Sequence, residues 1–166
     1  MSAVEVEIEA EAWSIALPNV EALVRQAAGA ALGEGSPGGV AILLTDDAAV
    51  RDLNARFRAV DAPTNVLAFP AAANPEGAIG DVALALGVCE REARAQGKPL
   101  ADHLRHLVIH GVLHLLRYDH QDDTEASVME SRERELLARL GVPDPYAPEP
   151  MSGCDPDVAT HTVRHG

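Results

Sequence analysis

The sequence predicts an α/β or α+β domain built around a small mixed sheet of four strands. Short runs with period-two or continuous apolar character alternate with runs whose apolar residues recur at helical spacing. The 166 residues, 47% of them apolar, suffice for one domain with a real core. No internal repeat is visible, and no run approaches the ~18 uninterrupted apolar residues of a transmembrane span.

VEVEIEA (4–10) places Val4, Val6 and Ile8 on one face at period two, an edge-like strand. Pro18 suits a helix start, and Val20, Leu23, Val24, Ala27 and Ala31 follow at helical spacing until Gly33. EGSPGG is a loop by composition, and VAILLT (40–45) is a short apolar strand. TDDAAVRDLNARF opens with capping residues and lines up Val50, Leu53 and Phe57 on one helical face. NVLAFP (65–70) is a third strand stopped by Pro70, 71–79 a loop, and DVALAL (81–86) a fourth strand. Helices follow over 87–96, 99–117 and 123–140, the last closed by Gly141. Residues 1–141 thus form one domain. Residues 142–166, rich in Pro and Gly and without periodicity, read as a disordered tail.

Thirteen Lys and Arg against 26 Asp and Glu give a formal net charge of −13. Proteins that grip nucleic-acid phosphates usually carry a basic balance. An RNA partner would therefore need a local basic patch or a second protein that supplies the charge. Cys89 and Cys154 are too few for a disulfide framework and too far apart for a CxxC ligand pair. The acidic, alternating MSAVEVEIEAEAW is the opposite of a signal peptide's basic start and apolar core. The expectation is a reducing, cytoplasmic home without a membrane partner.

The chemistry concentrates in HGVLHLLRYDH, residues 110–120. On a helix, His110 and His114 share a face about 6 Å apart along the axis. His120 joins them only if the chain turns between Arg117 and Asp119. The spacing H-x3-H-x5-H matches the zinc-binding pattern of the metzincin peptidases, a helical pair plus a third histidine past a turn. Two positions differ: Gly111 replaces the glutamate that serves there as general base, and Arg117 replaces the glycine of the turn. Metal binding survives the first change and the peptidase mechanism does not. Three neutral histidines also leave a coordination position open, as catalytic zinc requires. A core helix with incidental histidines is the bland alternative, and three histidines at ligand spacing outweigh it. His106 also stands four residues before His110, but a register on that pair would strand His114 and His120. His103 and His106 therefore read as structural or outer-sphere groups, and His161 and His165 as solvated.

HGVLHLLRYDH closely resembles the signature HGxLHLxGYDH of the bacterial YbeY family, metal-dependent endoribonucleases of ribosomal RNA maturation. LNARFRAVDAPTNVLAFP (53–70) is similar to the family's LNxxYRxxxxPTDVLSFP block. Gly80-Asp81-Val82 resembles its GDI segment, His106-Leu107 the HL before the signature, and Met129, Glu130, Leu136 and Leu137 its closing helix. The resemblance covers about 40–141. It implies a central helix presenting the histidines in a cleft, with His110, His114 and His120 holding one Zn2+ per chain or another divalent ion. Arg58 falls on the family's important arginine, suited to clamp a phosphodiester through two hydrogen bonds. Asp81 and Asp119 are the carboxylates to weigh as general base, and Asp119 can equally orient a ligand imidazole from the outer sphere, as can His106.

The activity so implied is single-strand-directed endoribonuclease cleavage in small-subunit ribosomal RNA 3′-end processing and ribosome quality control. The partners implied are ribosomal RNA and small-subunit proteins, without DNA. Three positions depart from the pattern. Arg117 stands where the family has glycine, costing about 1 kcal/mol if that backbone is left-handed. Asn65 replaces an aspartate, removing a candidate carboxylate near the cleft, and Ala68 replaces a serine. Two other readings stay open: a metal-dependent hydrolase of another substrate class, and a ribosome-assembly factor with a structural metal. The net charge of −13 favours docking through basic ribosomal proteins over free RNA binding.

Overall fold

The computed structural model describes residues 4–33, 39–70, 79–116 and 123–142. Four strands form one sheet in the order β1-β2-β4-β3. β1 (Val4–Ile8) pairs parallel to β2 (Val40–Thr45), and β2 pairs parallel to β4 (Gly80–Ala85). β3 (Val66–Pro70) runs antiparallel to β4, with Leu67 opposite Ala83 and Pro70 opposite Gly80. The sheet is mixed and four-stranded, and the alternating strand Val4–Ile8 does lie at an edge. Pro70, which has no N–H for a ladder, ends the other edge strand.

Six helices stand among the described residues: α1 (Ala12–Ala16), α2 (Val20–Leu32), α3 (Asp47–Arg58), α4 (Leu86–Gln96), α5 (Leu100–Leu115) and α6 (Asp123–Arg139). α1 is unexpected from the sequence. It exists to bury Trp13, which is 0% exposed and donates its indole N–H to the Thr45 carbonyl at 2.8 Å, closing the end of β2. α3 begins as its sequence predicts, with the Asp46 carboxylate accepting from the Ala49 amide at 2.8 Å.

α5 is the central element. It packs on β3 and β4 and is flanked by α2, α4 and α6. Small residues of α2 (Ala27, Ala28 and Ala31) are buried in this shared core. Gly111 sets how close α5 approaches the sheet: a Cβ there would lie 2.9 Å from Val82 Cγ1 and 3.4 Å from Val66 Cγ2. Strand residues alternate faces, so Val66, Ala68, Val82 and Leu84 belong to the α5 side. Leu67, Ala83 and Ala85 pack with Val50 of α3 in a smaller cluster on the other side, against which Phe69 rests. α6 ends at Gly141 in a left-handed conformation (φ 78°), and the Val142 amide returns to the Leu137 carbonyl at 2.9 Å. Val142 thereby joins the core, and 143–166 lie outside the described residues.

Candidate metal centre

Helical spacing puts four histidines of α5 in a column. Ring centroids of His103 and His106 are 6.4 Å apart, those of His106 and His110 6.2 Å, and those of His110 and His114 6.1 Å, the last pair stacked at 25°. Side-chain exposure rises along it from 4% at His103 to 14% at His106 and 23% at His110. Exposure thus increases toward the middle of the column, and His114 at its C-terminal end is half-buried.

Glu133 of α6 ties the middle of the column together. Its side chain is fully buried, and its two oxygens lie 2.9 Å from His106 Nε2 and 2.7 Å from His110 Nδ1. Burial pushes the Glu133 carboxyl up, but the two imidazole bonds outweigh it and bring it down to about 2. Burial holds His106 below its ordinary value despite Glu133, which favours the neutral ring. A carboxylate can only accept. Both facing nitrogens must therefore carry hydrogen, so in the tautomer this bond selects, the His110 lone pair lies on Nε2. That is the form in which an imidazole binds metal, its other nitrogen held by a carboxylate.

The donors thus suit a divalent metal in one of two ways. Ligand atoms of His106, His110 and Glu133 all lie within 4.8 Å of one another and can hold an ion directly. Alternatively, Glu133 and His106 form the outer sphere and His110 turns Nε2 outward beside His114. The burial of Glu133 and its hydrogen-bond distances favour the second arrangement.

Of the residues singled out by sequence, His110 and His114 are brought together on one helix face. His106 joins them through Glu133. Arg117, Asp119 and His120 lie outside the described residues, and α5 stops at Leu115 rather than at 117, with Leu116 in the closing turn. Arg58 is the last residue of α3, and its side chain is likewise outside the described set. Asp81 is exposed and sits opposite Phe69 on β3, on the α3 side of the sheet, so it is not brought together with the histidines. Gly111 lies pressed against Val82 and Val66, which explains why no glutamate occupies the metzincin-like position.

The departures at Asn65 and Ala68 have structural answers. Asn65 Nδ2 donates to Glu92 Oε1 at 2.9 Å, and the same oxygen accepts from His103 Nε2 at 2.8 Å. An aspartate at 65 would set a second carboxylate against Glu92. His103 stands eleven residues before His114, roughly 16 Å along the axis, so the expectation that Asn65 removes a carboxylate from the cleft is corrected. Ala68 is buried in the core on the α5 side.

Sequence reasoning misses Glu133, although a signal exists. Glu133, Leu136 and Leu137 fall at i, i+3 and i+4, the buried stripe of α6, and an acid on such a stripe requires partners.

Residues 5–141 match the family model described as Endoribonuclease YbeY. The chain is 50% identical over 165 residues to a protein named Endoribonuclease YbeY from Maricaulis maris, covering 98% of this chain and 99% of that one. It is 47% identical to the Nitrobacter hamburgensis protein of the same name, over 90% of this chain and 84% of that one. A solution structure of a Thermotoga maritima protein superposes with a TM-score of 0.58 at 26% identity, covering 82% of this chain and 88% of that one. The chain belongs to the YbeY endoribonuclease family.

Proposed function

We propose that this protein is a metal-dependent endoribonuclease that cuts single-stranded ribosomal RNA, in the 3′-end maturation of the small subunit and in ribosome quality control. The observation that carries the reading is the Glu133–His110 bond, which leaves His110 in the metal-binding tautomer within a family named for RNA cleavage. His110, His114 and His120 would hold one zinc ion. Bound there, the ion would supply Lewis acidity and a water acidic enough to ionise near neutral pH. The protein's own residues do the rest. Glu133 fixes the His110 ring, His106 braces Glu133, and Arg58 holds the phosphodiester and offsets charge that builds up on it. The enzyme works in the cytoplasm on ribosomal RNA, with small-subunit proteins as its partners. No described helix is long and apolar enough to cross a membrane.

Metal analysis together with cleavage of a single-stranded RNA tests this. The wild type should hold about one equivalent of zinc-like metal and cut the RNA. His114→Ala should lose both metal and cleavage. Arg58→Ala should keep its metal and lose orders of magnitude in rate, since one preorganised donor contributes roughly 3 kcal/mol to the barrier. His106→Ala separates the two ligand sets: retained metal supports the outer-sphere role, and lost metal supports direct ligation. RNA cleavage at the wild-type rate by metal-free His114→Ala would overturn the proposal.

A further inference from the structure

Phe57 is 64% exposed, one of three exposed large apolar side chains among the described residues. It lies one position before Arg58, in the last turn of α3. Its ring centroid is 5.6 Å from that of Phe69, edge to face, and the Arg56 guanidinium carbon stands 5.7 Å over the Phe57 ring. Arg56 also pairs with Asp52 at 3.2 Å, an exposed and therefore weak ion pair that leaves the guanidinium free to move.

This group stands at a particular end of the sheet. Phe69 and Pro70 close β3, opposite Asp81 and Gly80 of β4. A Cβ on Gly80 would meet the Phe69 carbonyl on one side and Leu115 Cδ2, 2.9 Å away, on the other. Leu115 is the last residue of α5 and follows His114 directly. The exposed ring and the C-terminal end of the histidine column therefore flank the same sheet end from opposite faces of its edge strand.

We infer that Phe57, backed by Phe69 and covered by Arg56, is a stacking platform for one nucleobase of a single-stranded RNA whose backbone continues toward the histidines. The inference rests on the endoribonuclease reading and adds to it the group that recognises the strand. An unpaired base has two free π-faces, whereas a paired base within a duplex has none to offer, so such a platform selects single strands. Stacking also suits a protein of net charge −13, because it draws affinity from the bases instead of the phosphates. A base entering between ring and guanidinium needs only an outward swing of Arg56, a long and exposed side chain. An apolar docking surface for protein would need more apolar area than this single ring with a charged cover.

Phe57→Ala, Phe57→Leu and Phe57→Trp test it, with binding measured to a short single-stranded RNA and to an abasic ribose-phosphate chain of the same length. Alanine should weaken binding of the RNA roughly 5- to 150-fold, the worth of one stacked base, and leave the abasic chain unchanged. Leucine should not restore it and tryptophan should. Trp13, the chain's single tryptophan, is fully buried. In the Phe57→Trp variant, quenching of the introduced indole's fluorescence by the RNA but not by the abasic chain therefore reports the stack itself. Wild-type affinity in the alanine variant, full rescue by leucine, or equal quenching by both ligands would overturn the platform while leaving the nuclease intact. A wild type that neither binds nor cuts RNA would overturn the nuclease reading and the platform with it.

Discussion

Glu133 shows how one buried side chain can decide the chemistry of another. A carboxylate inside a protein costs several kcal/mol of lost hydration unless it is hydrogen-bonded, and Glu133 recovers this through two imidazole N–H groups. The same bonds choose the tautomer of His110. Glu133→Gln keeps the shape, but its single carbonyl oxygen can accept from one histidine only, and its amide opposes the other. The expected outcome is a folded protein whose affinity for an added divalent metal, read by competition with a chelator, falls about 10- to 100-fold, the usual effect of an outer-sphere partner. Unchanged affinity would remove Glu133 from the centre. The histidine spacing was legible because i and i+4 on a helix need no tertiary information. Glu133 is harder to find because its partners sit more than twenty residues away on a different helix, and nothing local joins them.

At the scale of elements, α3 delivers Arg58 and Phe57, and its end is strained. The residue after Arg58, Ala59, has φ 57° and ψ 30°, and the Val60 amide returns to the Asn54 carbonyl at 3.2 Å. A left-handed residue with a Cβ costs roughly 1–2 kcal/mol, whereas glycine adds about 0.4–1 kcal/mol of unfolded-state entropy. Strain relief wins, so Ala59→Gly should stabilise the protein by a few tenths to about 1 kcal/mol, measured by denaturant midpoint. A lower midpoint would show that the loop holds Ala59 without strain. The loop itself is anchored by Asn54 Nδ2 on the Ala62 carbonyl at 2.8 Å and by Arg51 on Asp61 at 2.7 Å. The helices and strands with a cap, a proline or a clear period were readable, α3 with its Asp46 cap among them. α1 was not, since five residues with no side-chain cap carry no start signal and fold only because Trp13 finds the Thr45 carbonyl.

For the whole molecule, the tension is between an acidic chain and an anionic substrate. Among the described residues, at least seven of the chain's thirteen basic side chains are paired with carboxylates: Arg25, Arg51, Arg56, Arg91, Arg105, Arg132 and Arg139. Composition made this much visible, but not which arginines are spent within the fold, because pairs such as Arg91–Asp47 span distant elements. An enzyme so arranged can neutralise few phosphates. Each phosphate neutralised on a single strand adds about 0.7 to the slope of log affinity against log salt. With two or three such contacts, the slope for a single-stranded RNA should be about 2 or less in magnitude, so a tenfold rise in salt should weaken binding about 100-fold at most. Base stacking and any basic ribosomal protein would then supply the remaining affinity. Titrations of a labelled oligoribonucleotide across a tenfold salt range measure the slope directly. A value near ~5 would mean that a basic surface assembled outside the described residues grips the backbone after all, and that acidity does not limit this protein's contact with RNA.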